Sequence, residues 1–421
     1  MKFDFAKANL RKLLLLPLIG TMYLVGLLIP RDPSLWVFSR KGMFGDNPRY
    51  LLEYVRSIRP DLRCVWLAHT QAEYDAAKQS NVPVHMVGSL AGWWHTQRAG
   101  VGIVGMGLAD LNTFGLGGLP IVQLWHGVPL KKIGFDSDIY TSMGGGVLGR
   151  LLRRPIYWTK LYSQNRTLRM VTAPSERIAQ RYASAFGLPK TRIAVTGDPK
   201  TDIILAGNTL PNCVAWRDRL HAHYGIAKDE KIVLYAPTWR DEGGVSLFPD
   251  GEQLQALNQL LRNSGAWLLL RAHRADGQEF SGVERDMRVR PMLNKDFPDV
   301  NYLLPNVDIL ISDYSGIITD FSLLSRPLIF LTPDLENYSR TRGLYEDYAE
   351  FTGGRWADNW PDAVKALREC LAGDQDPYRA AARHVAARHI SFFDTHNCAR
   401  IHDAICERFP AQKVLRSNSG S

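Results

Sequence analysis

Short apolar runs alternate with stretches of helical spacing along most of this chain of 421 residues. The first series of runs predicts strands at 35–38, 64–68, 101–104, 119–124, 170–173 and 193–196. A second series predicts strands at 232–236, 266–270, 309–312 and 328–331. Helical spacing lies between them, as at 48–58, 253–262 and 316–324. This alternation is typical of an α/β fold with parallel sheets and helices on both faces.

A break near 200–225 separates the two series of predicted strands. Because the chain is too long for one ordinary core, we predict two Rossmann-like domains that face each other across a cleft. The residues at 378–409 have few helix breakers and predict helix. The predicted organisation is an apolar segment at 1–30, domains at 31–210 and 211–375, helices that pack back across the domains at 376–410, and a tail at 411–421.

The amino-terminal segment has an apolar run at 13–29, interrupted by Pro17 and Gly20 and preceded by Lys7, Arg11 and Lys12. A helix of that length spans about 25 Å, less than the roughly 30 Å of a hydrocarbon core. A spanning helix would also place these basic residues outside, against the positive-inside tendency. We therefore predict a segment that lies in the membrane interface. A true span, or a signal peptide without a clear cleavage site, remains an alternative.

The chain has a formal net charge of +9, and the excess is concentrated between 150 and 181. In that stretch Glu176 is the single acid among eight basic residues: Arg150, Arg153, Arg154, Lys160, Arg166, Arg169, Arg177 and Arg181. This basic region favours an anionic partner, such as an anionic membrane surface or a polyphosphate polymer, although a solvated helix face is an alternative. Nucleic acid is disfavoured because aromatic residues are not interleaved in a stacking pattern.

The cysteines and two short motifs give no support for a disulfide framework, a zinc site or a dinucleotide site. Five scattered cysteines without a C-x-x-C pair support neither a disulfide framework nor a zinc site, and the cytoplasm fits best. The G-x-G-x-x-G match at 100–105 coincides with a predicted strand rather than the turn after one, so a dinucleotide site is not expected there. The D-x-D at 136–138 is too short to be informative by itself.

The most informative segment follows the apolar run at 119–124. It reads Trp125-His126-Gly127-Val128-Pro129 and continues into two lysines, Lys131 and Lys132. A histidine at the carboxyl end of a buried strand is within reach of a ligand and can take a proton near neutral pH. A histidine that merely completes a turn is the alternative for this segment alone.

Four further predicted strands are followed by polar residues. These are Lys200 after 193–196, Thr238, Trp239 and Arg240 after 232–236, Arg271, His273 and Arg274 after 266–270, and Ser315, Gly316 and Asp320 after 309–312. Such residues would be costly to bury unpaired, so we expect them to line a cleft. A lysine can meet a phosphate, the Thr238 hydroxyl can donate a hydrogen bond, a tryptophan can stack, and the backbone N–H groups of a helix start can bind an anion. Each segment alone has an ordinary reading as a turn or an N-cap. Together they indicate a phosphate-rich ligand held between two domains.

Five ordered segments between about 120 and 350 resemble the CDP-glycerol glycerophosphotransferase family, which comprises teichoic-acid and related capsule polymerases and primases. They are QLWHGVPLKKIGFD, VTGDPKTDII, VLYAPTWRDE, LLLRAH and ISDYSGIITDFSLLSRPLIFLTPDLENY. The resemblance implies a GT-B architecture, with 31–210 on the acceptor side and 211–375 binding the donor, CDP-glycerol or a similar CDP-alditol. It also implies a polymer or lipid-linked acceptor, monotopic association with the cytoplasmic membrane face, and no metal or other cofactor.

Carried onto this chain, the resemblance makes His126 the essential histidine of the W-H-G motif, expected as general base on the acceptor hydroxyl. The second catalytic candidate is His273, which with Arg271 would contact the donor pyrophosphate. The remaining expected substrate-binding residues are Gly127, Pro129, Lys200, Thr238, Trp239, Ser315, Gly316 and Asp320. This chain departs from the family at Lys200, where arginine is usual, and at Gly316, where serine is usual. Lysine keeps the charge without the bidentate fork, and glycine drops a hydroxyl.

Two other functions remain open on the residues alone. A GT-B glycosyltransferase that uses a sugar nucleotide would need the same strand-end groups. A non-catalytic protein that binds polyanions at the membrane surface would account for the basic region and the apolar amino terminus.

Overall fold

The computed structural model describes residues 5–137, 165–238, 240, 247–271, 283 and 286–409, with the backbone alone at 5–16. Its first sheet has the strand order β3-β2-β1-β4-β5-β6-β7, and every described pairing in it is parallel. These strands are β1 (Asp32–Ser39), β2 (Arg63–Ala68), β3 (Val84–Met86), β4 (Ala99–Val104), β5 (Ile121–Gln123), β6 (Leu168–Ala173) and β7 (Ile193–Val195).

The second sheet has the order β10-β9-β8-β11-β12 and is also parallel. Its strands are β8 (Lys231–Tyr235), β9 (Ala266–Leu270), β10 (Val289–Pro291), β11 (Ile309–Ser312) and β12 (Leu328–Phe330). The predicted α/β class with parallel sheets is therefore confirmed. All ten predicted strands are present, and β3 and β10 were missed.

We call the residues before β8 the first half of the molecule and those from β8 onward the second half. The helices of the first half are α1 (Phe5–Leu28), α2 (Asp46–Ile58), α3 (Gln71–Gln79), α4 (Leu90–Arg98), α5 (Glu176–Phe186), α6 (Pro199–Ala206) and α7 (Pro211–Tyr224). Those of the second half are α8 (Gly251–Asn263), α9 (Ile317–Ser322), α10 (Leu335–Arg342), α11 (Tyr348–Thr352), α12 (Trp360–Ala372), α13 (Asp376–His389) and α14 (Asn397–Arg408). Local sequence explains several boundaries. Ser175 accepts a hydrogen bond from the Ile178 N–H at the start of α5, and Gly187 ends that helix in the left-handed conformation.

Both sheets change winding direction at one point, and this positions the site. In the first sheet the order reverses between β1 and β4, and in the second between β8 and β11. Because adjacent crossovers there run to opposite sides, a crevice opens beyond the carboxyl ends of those strands. The chain leaves β1 at Arg40, β8 at Ala236 and β11 at Asp313, so these residues stand at the two crevices.

The carboxyl-terminal helices contact both halves. Ala382, Val385 and Ala386 of α13 are buried in the core on one side of the second sheet. Ile401 and Ile405 of α14 are buried in a core of the first sheet. The apolar faces of the two helices thus add to separate cores, and the turn between them crosses from one half to the other.

The α1 helix continues through Pro17. Its Gly26 allows close packing, because a Cβ there would lie 2.8 Å from Oε1 of Gln97 and 3.2 Å from Cα of Gly117. Arg31, just after α1, donates to the carbonyls of Thr96 and Ala99 at 3.1 Å. Among the residues that the structure describes, no helix combines the length and hydropathy needed to cross a bilayer.

Candidate active site

A cavity of about 470 Å³ lies where the carboxyl ends of the two sheets face each other. From the first half it is lined by the loop after β5, by Arg40 and Asp46 after β1, and by Lys200 on α6. From the second half it is lined by the expected residues Thr238, Arg271, Ser315, Gly316 and Asp320. The structure therefore brings strand-end residues of both sheets to one place. Trp239 and His273 lie outside the described residues.

His126 stands at the junction of the two halves, and its side chain is exposed to the cavity. The surrounding protein lowers the pKa of His126 to about 4, because desolvation disfavours the imidazolium and the charges of Arg40 and Lys200 add to that effect. Asp46 and a hydrogen bond to the Gly105 backbone act in the opposite direction. The imidazole is consequently neutral at pH 7 and able to accept a proton.

The backbone beside His126 is held from two directions. Trp125 has a φ of 57° and packs its ring edge-on against Tyr182 and Phe186, with centroid distances of 6.2 and 5.1 Å. Asn47, fully buried at the start of α2, donates from Nδ2 to the Trp125 carbonyl at 3.0 Å. The Oδ1 of the same side chain accepts the backbone N–H of Lys200 at 3.0 Å. One amide thus joins the histidine loop to the start of α6.

Lys200 is 2 % exposed, and its ammonium is already paired. Its Nζ lies 2.8 Å from the carboxylate of Asp320 and donates to the His126 carbonyl at 3.3 Å. Burial alone would lower the pKa of Lys200, but the nearby carboxylates of Asp320 and Asp198 raise it, so the lysine stays charged. The lysine that was expected to meet a phosphate therefore first connects the histidine loop to α9.

A second carboxyl group beneath the cavity is Asp198, which is 4 % exposed. Burial raises the pKa of Asp198 to about 7, against the attraction of Lys200, and the charges of Asp320 and Asp46 add to the rise. Across the cavity, Asp299 accepts the Tyr50 hydroxyl at 2.7 Å, and burial raises its pKa as well. The sequence did not indicate a role for Asp198 or Asp299, although Asp198 lies inside the VTGDPK segment.

Thr238 uses its donors within the protein. Its hydroxyl donates to Asp313 at 2.7 Å, and its backbone N–H donates to the same carboxylate at 2.8 Å. Arg240 donates from Nη2 to Asp313 at 2.8 Å and from Nε to Asp334 at 2.7 Å. Since the hydroxyl hydrogen is used, Thr238 can offer a ligand only its oxygen lone pairs. It was expected as a hydroxyl donor.

Of the expected residues of the second half that the structure describes, Arg271, Ser315 and Gly316 also line the cavity. Arg271 donates to the Phe297 carbonyl at 2.8 Å. Ser315 and Gly316 precede α9, which is only six residues long. A Cβ added to Gly316 would lie 3.4 Å from the Val128 carbonyl oxygen, and one added to Gly127 would lie 3.9 Å from Cα of Gly316. The two glycines therefore mark a close approach between the halves.

Residues of the basic region and of the D-x-D motif form ion pairs and hydrogen bonds within the protein. Arg181 of the basic region is 7 % exposed, donates to the Pro129 carbonyl at 3.0 Å and pairs with Glu346 at 2.5 Å. Arg177 lies 3.8 Å from the same carboxylate. Asp136 of the D-x-D accepts the Tyr345 hydroxyl at 2.7 Å. The basic residues at 150–160 and Asp138 lie outside the described residues.

Over the described ranges, no group of three or more His, Cys, Asp or Glu side chains is arranged to hold a metal ion.

The chain is similar to known proteins over most of its length. The family model described as CDP-glycerol:poly(glycerophosphate) glycerophosphotransferase matches residues 21–407. A teichoic acid poly(glycerol phosphate) polymerase of Bacillus spizizenii is 29 % identical over 370 residues, covering 83 % of this chain and 86 % of that protein. A teichoic acid glycerol-phosphate transferase of Staphylococcus aureus is 26 % identical over 331 residues, covering 77 % of this chain and 80 % of that protein.

Among solved structures, the wall teichoic acid polymerase TagF has the same fold. It superposes with a TM-score of 0.74 at 23 % identity, covering 96 % of this chain and 98 % of that one. The likeness covers nearly the whole chain and therefore both sheets.

Proposed function

The chain belongs to the CDP-glycerol:poly(glycerophosphate) glycerophosphotransferase family. From that premise we propose that His126, Arg271 and Ser315 act in the transfer of glycerol phosphate from CDP-glycerol to a hydroxyl of a polymer or lipid-linked acceptor. The observation that carries the proposal is the shared cavity. It joins a neutral His126 from one half to Arg271 and Ser315 from the other. A proton acceptor and anion-binding groups then face one volume, as a phosphoryl transfer to a hydroxyl requires.

In the proposed reaction an acceptor hydroxyl attacks the β-phosphorus of CDP-glycerol. The new P–O bond forms as the bond from that phosphorus to the bridging oxygen breaks, and CMP leaves with the bridging oxygen. His126 takes the hydroxyl proton, because its lowered pKa keeps the imidazole unprotonated at neutral pH. Arg271 and the backbone around Ser315 and Gly316 stabilise charge on the pyrophosphate.

Lys200 and Asp320 act indirectly in this proposal, by positioning His126. Their ion pair fixes the His126 carbonyl relative to α9, so it sets the distance between the base and the donor. Trp239 keeps the stacking role that its residue type indicates, and His273 keeps the contact with the donor pyrophosphate that the family resemblance implies. The acceptor is a polymer or lipid-linked primer that presents a hydroxyl.

The α1 helix is proposed to lie on the membrane surface, where a lipid-linked acceptor would be found. The support is a set of exposed apolar side chains at its end, with Leu24 63 %, Leu27 54 % and Leu28 84 % exposed. Flotation with vesicles of anionic phospholipid tests this. Leu24→Glu combined with Leu28→Glu is expected to abolish flotation, and unchanged flotation would overturn the proposed surface.

The function is tested by donor-dependent release of CMP with mass analysis of the product. Wild-type protein is incubated with a lipid-linked acceptor and CDP-glycerol, CDP-ribitol or UDP-sugars in parallel. His126→Ala is expected to lose about 10²–10⁴-fold or more in turnover, whereas His396→Ala, at an exposed histidine, is the matched control. Release of UDP instead of CMP would support the sugar-nucleotide alternative. Wild-type turnover by His126→Ala would overturn the base assignment.

A further inference from the structure

Lys131 is carried by the histidine loop but is held against the other half of the molecule. Its backbone forms an antiparallel bridge with Leu344. On either side of that bridge, the Lys132 N–H donates to the Gly343 carbonyl at 3.0 Å, and the Tyr345 N–H donates to the Leu130 carbonyl at 2.9 Å. This short paired segment fixes where the Lys131 side chain begins.

The side chain of Lys131 lines the same cavity as Thr238, Arg271 and Ser315 and is half-buried there. Lys132, the next residue, is exposed and does not line the cavity. The stem of Lys132 instead passes Gly343, where a Cβ would lie 3.1 Å from its Cδ. Two adjacent lysines on one loop thus have different surroundings, and only the first is directed to the donor side.

The charges around Lys131 are mostly positive. Arg342 and Arg240 interact with it unfavourably, and among the described residues Asp313 is the one acid that acts in its favour. Asp313 is already heavily committed, because it accepts the backbone and hydroxyl donors of Thr238, a guanidinium donor of Arg240 and the Tyr314 N–H. Within the described part of the chain, no carboxylate lies within ion-pair distance of the Lys131 ammonium.

Burial, followed by the charge of Arg342, lowers the pKa of Lys131. A half-buried ammonium beside other cations is unfavourable in the unliganded protein, and an anion in the adjacent cavity would relieve it. The pyrophosphate of a CDP-alditol is such an anion, and it must occupy this cavity if the proposed function holds. A lysine serves as a point-charge partner for phosphate oxygens.

We propose that Lys131 is a further donor-binding residue, whose ammonium binds the pyrophosphate of the CDP-alditol opposite Arg271. This inference rests on the proposed function for the identity of the donor. It assigns two tasks to one loop, since His126 meets the acceptor hydroxyl and Lys131, five positions later, meets the donor phosphates. Donor binding then fixes the loop that carries the base.

Binding of nucleotides to the full-length chain tests the proposal without requiring turnover. Calorimetry with CDP, CMP and cytidine compares wild type, Lys131→Gln and the control Lys132→Gln. Lys131→Gln is expected to weaken CDP binding by about 10- to 100-fold, as for a lost hydrogen bond to a charged group, and to leave cytidine binding within about twofold. Lys132→Gln is expected to bind all three like wild type.

Lys131→Arg supplies a second variant that keeps the charge, and it is expected to retain CDP binding within about fivefold. Wild-type affinity of Lys131→Gln for CDP overturns the proposal, and so does equal weakening for CDP and cytidine. The outcome is separable from that of the proposed function. If CDP binding depends on Lys131 but no CDP-alditol releases CMP, the donor reaction is wrong and the phosphate contact stands.

Discussion

The ammonium of Lys200 lies 2.8 Å from the carboxylate of Asp320, although the two residues are 120 positions apart and follow strands of different sheets. Both side chains are largely removed from solvent, with exposures of 2 % and 12 %. The pair therefore connects the two halves beneath the cavity, at the position where the loop of His126 meets α9.

Removing the lysine alone is expected to be more harmful than removing both partners. Lys200→Met leaves a buried carboxylate without its partner, which typically costs about 3–5 kcal/mol, whereas replacing both charges is often far less costly. Thermal unfolding of Lys200→Met, Asp320→Asn and the double variant measures this. A double variant less stable than Lys200→Met would contradict the assignment of the pair as a buried ion pair.

The activity is expected to persist into unusually acidic solution. His126 must be neutral to take a proton, and its pKa of about 4 lies well below the ordinary value of 6.5. The acid limb of log kcat/KM should therefore have its midpoint closer to pH 4 than to pH 6.5, since that profile reports groups of the free enzyme. The residual activity of His126→Ala should lack this limb. A midpoint at or above pH 6.5 would show that the cleft does not lower the pKa of His126.

Asp198 is expected to destabilise the fold at higher pH. Its folded pKa of about 7 exceeds the reference value of 3.8, so the folded state binds the proton more tightly than the unfolded state between those values. Stability contributed by this group is therefore present in acid and falls as the pH rises towards 7. Asp198→Asn removes the titration and should stabilise the protein at pH 8 by about 2–4 kcal/mol, with little effect at pH 4. The difference in Tm between variant and wild type is the measurement, and an equal difference at both pH values would count against it.

Gly316→Ser is expected to fold normally and to alter donor preference. Gly316 has helical φ and ψ of −59° and −20°, and the nearest atom to an added Cβ is 3.4 Å away, so a side chain fits. Because Gly316 lines the cavity, the added hydroxyl should change KM for the donor by about 2- to 10-fold while Tm stays within about 2 °C.

Gly127→Ser is the matched contrast for that substitution. Its φ of 158° is unfavourable for a residue with a Cβ, and the added atom would lie 3.5 Å from Nζ of Lys200. Turnover should fall here far more than in Gly316→Ser. Equal effects of the two substitutions would indicate that the glycines are interchangeable.

The sheet interior could be predicted from the sequence because strands buried on both faces are continuous apolar runs. β1 has Trp36, Val37 and Phe38 in succession, all fully buried. The missed strands β3 and β10 are edge strands of three residues each. They contain polar or restrictive residues, among them His85, Arg290 and Pro291, because one edge has no neighbour to exclude water.

The meeting of these strand-end residues at one cavity could also be predicted, because parallel strands direct their carboxyl ends to one edge. The partners of each residue could not. Lys200 looked like a free phosphate ligand, since nothing local indicates that Asp320 lies beside it. Thr238 likewise looked like a free donor until Asp313 was found to accept its hydroxyl. Asn47 carried no signal at all, because its importance comes from two backbone groups that lie 78 and 153 positions away.

The left-handed backbone of Trp125 has a consequence for the histidine that follows it. A φ of 57° costs a residue with a Cβ about 1 kcal/mol or more, and the aromatic packing of its ring together with the bond from Asn47 maintains it. The peptide plane that carries His126 is thus set before any substrate arrives. If His126 acts as proposed, the conformational entropy of the backbone that carries it is lost during folding rather than at each turnover, so substrate binding need not supply it.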